Sequence, residues 1–219
     1  VIALLGVFSP NGGDGVMTIA SGSMAFVLGF AALFASRYLN DRVILHMVDN
    51  NKAVVQEKNL AVAIVEFSTY CATAIIFAGG ISAPDHSIGQ AVVWFVIGQS
   101  ILVGLAYGYH RFFPTVFDEI SKGNSACALS LAGILLAAGM AVGSLIHGPS
   151  NGILWDVLGI AISLVVWLCL MIATRGTLYL GFVSPARHTS ELVVDRNWSL
   201  GLIDGLLFVS ITAAFIKIH

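Results

Sequence analysis

Charge is scarce in this chain. Of its 219 residues only 10 are Lys or Arg and 12 Asp or Glu, far below the roughly one-quarter charged content of soluble domains. With 58% hydrophobic residues and a mean hydropathy of +0.92, this shortage excludes a soluble globular domain and marks an integral membrane protein. A net charge of −2 leaves no basic surplus for nucleic acid. Cysteine is equally sparse. Cys71, Cys127 and Cys169 lie in apolar segments without CxxC spacing, which suggests neither a disulfide framework nor a zinc site. The six histidines, His110 and His188 among them, fall at helix ends or in loops, so a haem held by two histidines at mid-membrane depth is disfavoured. No nucleophile arrangement, metal cluster or nucleotide loop is visible. The expectation is a non-enzyme without cofactor.

Against these absences stand six apolar runs, near 20–39, 59–81, 89–111, 124–146, 152–174 and 198–217. Each suits a helix across about 30 Å of hydrocarbon, which takes about 20 residues. Lys and Arg are retained in short cytoplasmic loops. Arg37, Arg42, Lys52, Lys58, Arg111, Lys122, Arg175, Arg187 and Arg196 all flank one side, leaving Lys217 alone on the other. Both termini are therefore expected outside, with residues 1–19 as an external segment. The linkers DRVILHMVDNNKAVVQEK and FFPTVFDEISK mix apolar and charged residues at roughly helical spacing, as interfacial helices do.

Three spans begin alike. KNLAVAIVEF, GNSACALSLA and RNWSLGLIDG each carry Asn, any residue, small, any residue, small, then Ile or Leu. The small positions are Ala61 and Ala63 after Asn59, Ala126 and Ala128 after Asn124, and Ser199 and Gly201 after Asn197. Asn is a good N-cap because its side-chain oxygen accepts from the first turn. Small residues behind it let backbones approach in lipid, where no hydrophobic drive operates between helices. The pairs Gly201/Gly205, Gly139/Gly143 and Gly104/Gly108 offer the same device. The expected fold is all-α: six transmembrane helices as three parallel two-helix repeats, 20–82, 83–147 and 148–219.

Two carboxylates interrupt this plan. Glu66 lies seven residues after Asn59 and Asp204 seven after Asn197, while Leu131 holds that place in the middle unit. A charge there costs roughly 2.5–3.5 kcal/mol on insertion scales and usually faces a bundle interior or a hydrated cavity. Three readings stand open: hydrogen-bonded groups that tie helices together, a proton or cation site with Gln99 as accessory, or carboxylates shallow enough to meet cytoplasmic water.

The Asn-led entries, with their basic or polar linkers and Ala- and Gly-rich spans, resemble the YjfL-type bacterial inner-membrane proteins, the domain of unknown function numbered three-fifty. DEISKGNSACALSLAGILLAAGMAVGS and KNLAVAIVEFSTY carry the likeness most clearly; RNWSLGLIDGLLF is looser at Trp198 and Gly201. The resemblance implies an inner-membrane location, two-helix units and an external N-terminus, but no reaction. A third unit departs from the usual pair. Two functions are expected: a membrane scaffold or anchor that docks a cytoplasmic protein, or a small proton- or cation-handling module using Glu66 and Asp204. Beyond the bilayer itself, a homo-oligomer or larger membrane complex is the expected setting.

Overall fold

A computed structural model describes residues 15–39, 52–83, 87–148, 152–181 and 184–218. The expected external segment falls largely outside these residues, as do positions 40–51 of the first linker. Among the described residues the chain is helical, with no strand. Its elements are α1 (Gly15–Leu39), a π-type turn (Lys52–Gln56), α2 (Leu60–Ser82), α3 (Ile88–Phe112), α4 (Pro114–Ser121), α5 (Ser125–Ile146), α6 (Ile153–Gly181), α7 (Pro185–Val193) and α8 (Trp198–Ile218). Five of them, α2, α3, α5, α6 and α8, are long and apolar enough to cross a membrane; α1 carries a shorter apolar stretch, Gly22–Tyr38.

Local chemistry sets the boundaries. Ser87 and Gln90 form a reciprocal capping box at the start of α3, which satisfies two orphan N–H groups of its first turn. Pro114 and Pro185 open α4 and α7, where a missing N–H costs nothing and the fixed φ suits the helix. The helix α6 runs seven residues past the expected end at 174. Arg175 therefore sits inside a helix and not in a loop.

The centre of the molecule is α5. Of its most apolar stretch 67% is buried inside the protein, against 22% for α6. Its sequence explains the place, since SACALSLAGILLAAGMAVGSLI keeps side chains small enough for close neighbours on two sides. On one side packs α2, where a Cβ added to Gly139 would come within 2.6 Å of Ala72, and one at Gly143 within 2.8 Å of the Ile75 carbonyl. Opposite packs α8, where a Cβ at Gly205 would lie 2.6 Å from the Leu129 carbonyl. Residue numbers rise together across both contacts, so α2, α5 and α8 run parallel. Gly104 and Gly108, by contrast, face open space: the third small pair meets no helix among the described residues.

Candidate functional site

Each leading Asn does two jobs. Asn59 Oδ1 accepts from the Ala61 and Val62 N–H groups at 3.0 and 3.2 Å. Its amide donates forward to the Ile120 and Ser121 carbonyls at the end of α4, at 3.2 and 3.0 Å. Asn124 likewise accepts from Ala126 and Cys127 N–H at 3.0 and 3.3 Å and donates to the Leu192 and Val193 carbonyls ending α7, at 2.8 and 3.4 Å. Asn197 accepts from the Leu200 N–H at 3.3 Å, but its amide turns back to Glu191 Oε2 at 3.0 Å. The residue before each Asn is left-handed: Lys58 at φ 52°, Gly123 at φ 84° and Arg196 at φ 51°. That turn lets the Asn N–H reach back to Ala53, Glu119 and Glu191 carbonyls respectively, at 2.8, 2.9 and 2.8 Å.

Asp204 is the most enclosed charged group among the described residues, 1% exposed. Three other elements converge on it. Ser130 of α5 donates a short hydrogen bond to Oδ2. Arg175 of α6 places Nη2 3.3 Å from the same oxygen, and His188 of α7 brings Nε2 to 3.7 Å from Oδ1. The Arg175 guanidinium also lies over the Phe208 ring of α8, 5.6 Å from its centroid, and over Phe113, at 6.0 Å; aromatic faces attract a cation at this range. A lone buried carboxylate would be expensive, but here a guanidinium and a hydroxyl take its place of hydration. The small Ser130 and Gly133 of α5 let α8 come close enough for this, with Gly133 against Gly205.

Glu66 and Gln99 lie elsewhere. Glu66 is half-buried and accepts from Tyr70 of its own helix at 2.6 Å. Gln99 of α3 accepts from Thr73 of α2 at 3.2 Å, and Thr73 is linked at 2.7 Å to Ser36 of α1. This hydroxyl chain ties the first three helices, while the Gln99 Nε2 is buried without a hydrogen-bond partner among the described residues. None of the partners of Asp204 is shared with either residue.

At the mouth of the bundle, Glu119 gathers Lys122 at 2.8 Å and Arg196 at 3.2 Å. Its carboxyl is held below the usual glutamate value, first by the hydrogen bond from Lys122 and then by Asn124 and Arg196, against a smaller opposing effect of burial. Lys122 is held above its usual value by the same contact.

Arg175, His188 and Ser130 were not among the site residues expected from the sequence. The signal for Arg175 was its place directly after an apolar run, which a retained loop charge explains equally well; His188 offered none.

No curated protein matches this chain, and no solved structure does. The family model described as Domain of Unknown Function (DUF350) matches it twice, over residues 13–116 and 85–217. The two matches overlap across α3 and together take in all five candidate spans. This chain is thus a member of the DUF350 family.

Proposed function

We propose that the protein is a scaffold of the bacterial inner membrane, formed by six spans in three parallel two-helix units with both termini external, that docks a cytoplasmic protein on its linkers. What carries the reading is the anchoring of the linker helices: the Asn59 and Asn124 amides hold the ends of α4 and α7. Charged side chains on these helices and the adjoining turns, such as Arg187, 75% exposed, and Lys122, 61% exposed, are thereby presented from fixed positions. A partner then meets a preorganised surface, and less ordering entropy opposes binding. The Asp204 carboxylate supports this reading too, because Arg175 already supplies the cation that a transported ion would have to be.

Proton handling is the second reading, narrowed to one place. A His beside a buried carboxylate, His188 against Asp204, is the arrangement a relay uses. One experiment separates the two. A photo-crosslinking residue at Lys122 or Arg187 in living cells is expected to trap one defined cytoplasmic protein, and Lys122→Glu with Arg187→Glu to abolish its co-purification. Absence of any adduct, together with a proton flux in reconstituted vesicles that Asp204→Asn or His188→Gln removes, overturns the scaffold in favour of the relay.

A further inference from the structure

The two contacts of α5 share one geometry. Counted from the leading Asn of each helix, the close glycine contacts between α2 and α5 are +13 with +15, +16 with +19 and +20 with +19: Ala72 with Gly139, Ile75 with Gly143, and Gly79 with Gly143. Between α5 and α8 they are +2 with +4, +5 with +8 and +9 with +8: Ala126 with Gly201, Leu129 with Gly205, and Gly133 with Gly205. Every pair in the second set is a pair of the first moved by eleven residues, about three turns. The axial stagger is the same and so are the faces used. The two contacts thus share faces and stagger, with the closest approach toward the far end of the helices in the first and toward the Asn-led end in the second.

Among the described residues this arrangement is not closed: it leaves one face of α8 exposed and one face of α2 only partly covered. On α8 the face that would receive a next helix, at +2, +5, +9, +13, +16 and +20, is Ser199, Leu202, Leu206, Ser210, Ala213 and Lys217; all six are exposed. On α2 the opposite face, at +4, +8, +15 and +19, is Ala63, Phe67, Ala74 and Ala78, and none of these is buried. The equivalents in α5, Ala128, Ala132, Gly139 and Gly143, are all buried. The cytoplasmic bonds end at the same edge. Asn59 and Asn124 donate to the linker that follows, whereas the Asn197 amide donates to the Glu191 carboxylate. At the other edge, the carbonyls equivalent to those of Ile120 and Ser121 are Val54 and Val55, since Asn59 N–H reaches Ala53 as Asn124 N–H reaches Glu119.

We propose that a second copy of this chain docks head to tail, the α8 face of one copy on the α2 face of the next, with the Asn197 amide moving from Glu191 to the Val54 and Val55 carbonyls of its neighbour. The interface continues one already present twice inside the chain. It is heterologous, and because the helices it joins are parallel its axis follows the membrane normal, so that copies add side by side in the membrane and form a ring where the rotation per copy closes. Phe67 stands where α5 and α8 have Ala132 and Gly205, which makes the contact between copies wider than those within one. The proposal goes beyond the scaffold reading and rests on packing alone, independent of any cytoplasmic partner.

The test uses the full chain with Cys71, Cys127 and Cys169 replaced by Ala. Two differently tagged forms, one with Ser199→Cys and one with Ala63→Cys, are co-expressed, and isolated membranes are mildly oxidised. A reducible cross-link joining the two tags is expected, and a ladder of multiples when both substitutions occupy one chain. Ser36→Cys with Thr73→Cys, whose hydroxyls stand 2.7 Å apart between α1 and α2, should cross-link within the monomer and shows that the bundle is intact. Cross-linking inside the monomer without any between tags overturns the proposal. So does Ser199→Cys joining to itself alone, which would mean a symmetric pairing. Independently, the unmodified protein in lipid nanodiscs should have the mass of several copies; a monomer overturns the proposal.

Discussion

Arg175 Nη2 and Asp204 Oδ2 stand 3.3 Å apart in the interior of the bundle, the carboxylate 1% and the guanidinium side chain 18% exposed. Breaking such a pair from one side leaves an uncompensated buried charge. Asp204→Ala and Arg175→Ala are each expected to destabilise by about 3–5 kcal/mol. The double replacement Arg175→Met with Asp204→Leu should recover most of that loss, because no charge then remains to be solvated. Unfolding of the purified protein in mixed detergent micelles reads all three.

Glycines divide by what stands opposite them. Gly133→Ala and Gly201→Ala push a methyl into the backbone of a neighbouring helix and are expected to cost about 1–3 kcal/mol through overpacking. Gly104→Ala, with nothing in reach, should be neutral or gain up to about 1 kcal/mol from helix propensity. Thermal denaturation of the three variants separates them.

The turn before each Asn predicts opposite outcomes for opposite exchanges. Gly123→Ala places a Cβ at φ 84° and should lose about 1–2 kcal/mol. Lys58→Gly relieves the same strain at φ 52° and should stabilise, by under about 1 kcal/mol since glycine is also freer when unfolded. A loss of stability in Lys58→Gly would show that its side chain contributes more than the turn costs.

Acid should loosen the Glu119 end of the bundle first. Glu119 titrates lower in the folded protein than in the unfolded chain, so its contribution is complete above the unfolded value of about 4.3. It is lost as pH falls through the lower, folded value. Melting temperatures taken from pH 7 down to 3 should fall less steeply in Glu119→Gln than in the unsubstituted protein.

Spans and caps were legible in the sequence because both are short-range. Hydropathy over about 20 residues sufficed to find α2, α3, α5, α6 and α8, and Asn followed by small residues announces a cap whatever lies around it. The convergence on Asp204 was not legible. Ser130, Arg175 and His188 stand on three different elements, 74, 29 and 16 positions from it in the chain, and only the packing of α5 against α8 brings them together. Glu66 shows the converse. Its equivalent distance from a leading Asn suggested an equivalent role, yet its hydrogen-bond partner is Tyr70, one turn away on the same helix, because the α2 face it occupies has no α6 beside it.

The forward reach of the Asn amides also sets a timetable. Asn59 finds its acceptors 61 and 62 positions later, and Asn124 finds its own 68 and 69 positions later. At roughly 5–20 residues per second on the ribosome, α2 and α5 each wait on the order of 3–14 s for the carbonyls that complete them. During that interval the amide is left to water. Each hairpin emerging from the translocon therefore secures its predecessor, and a chain stalled after α5 would carry α2 finished and α5 still untied.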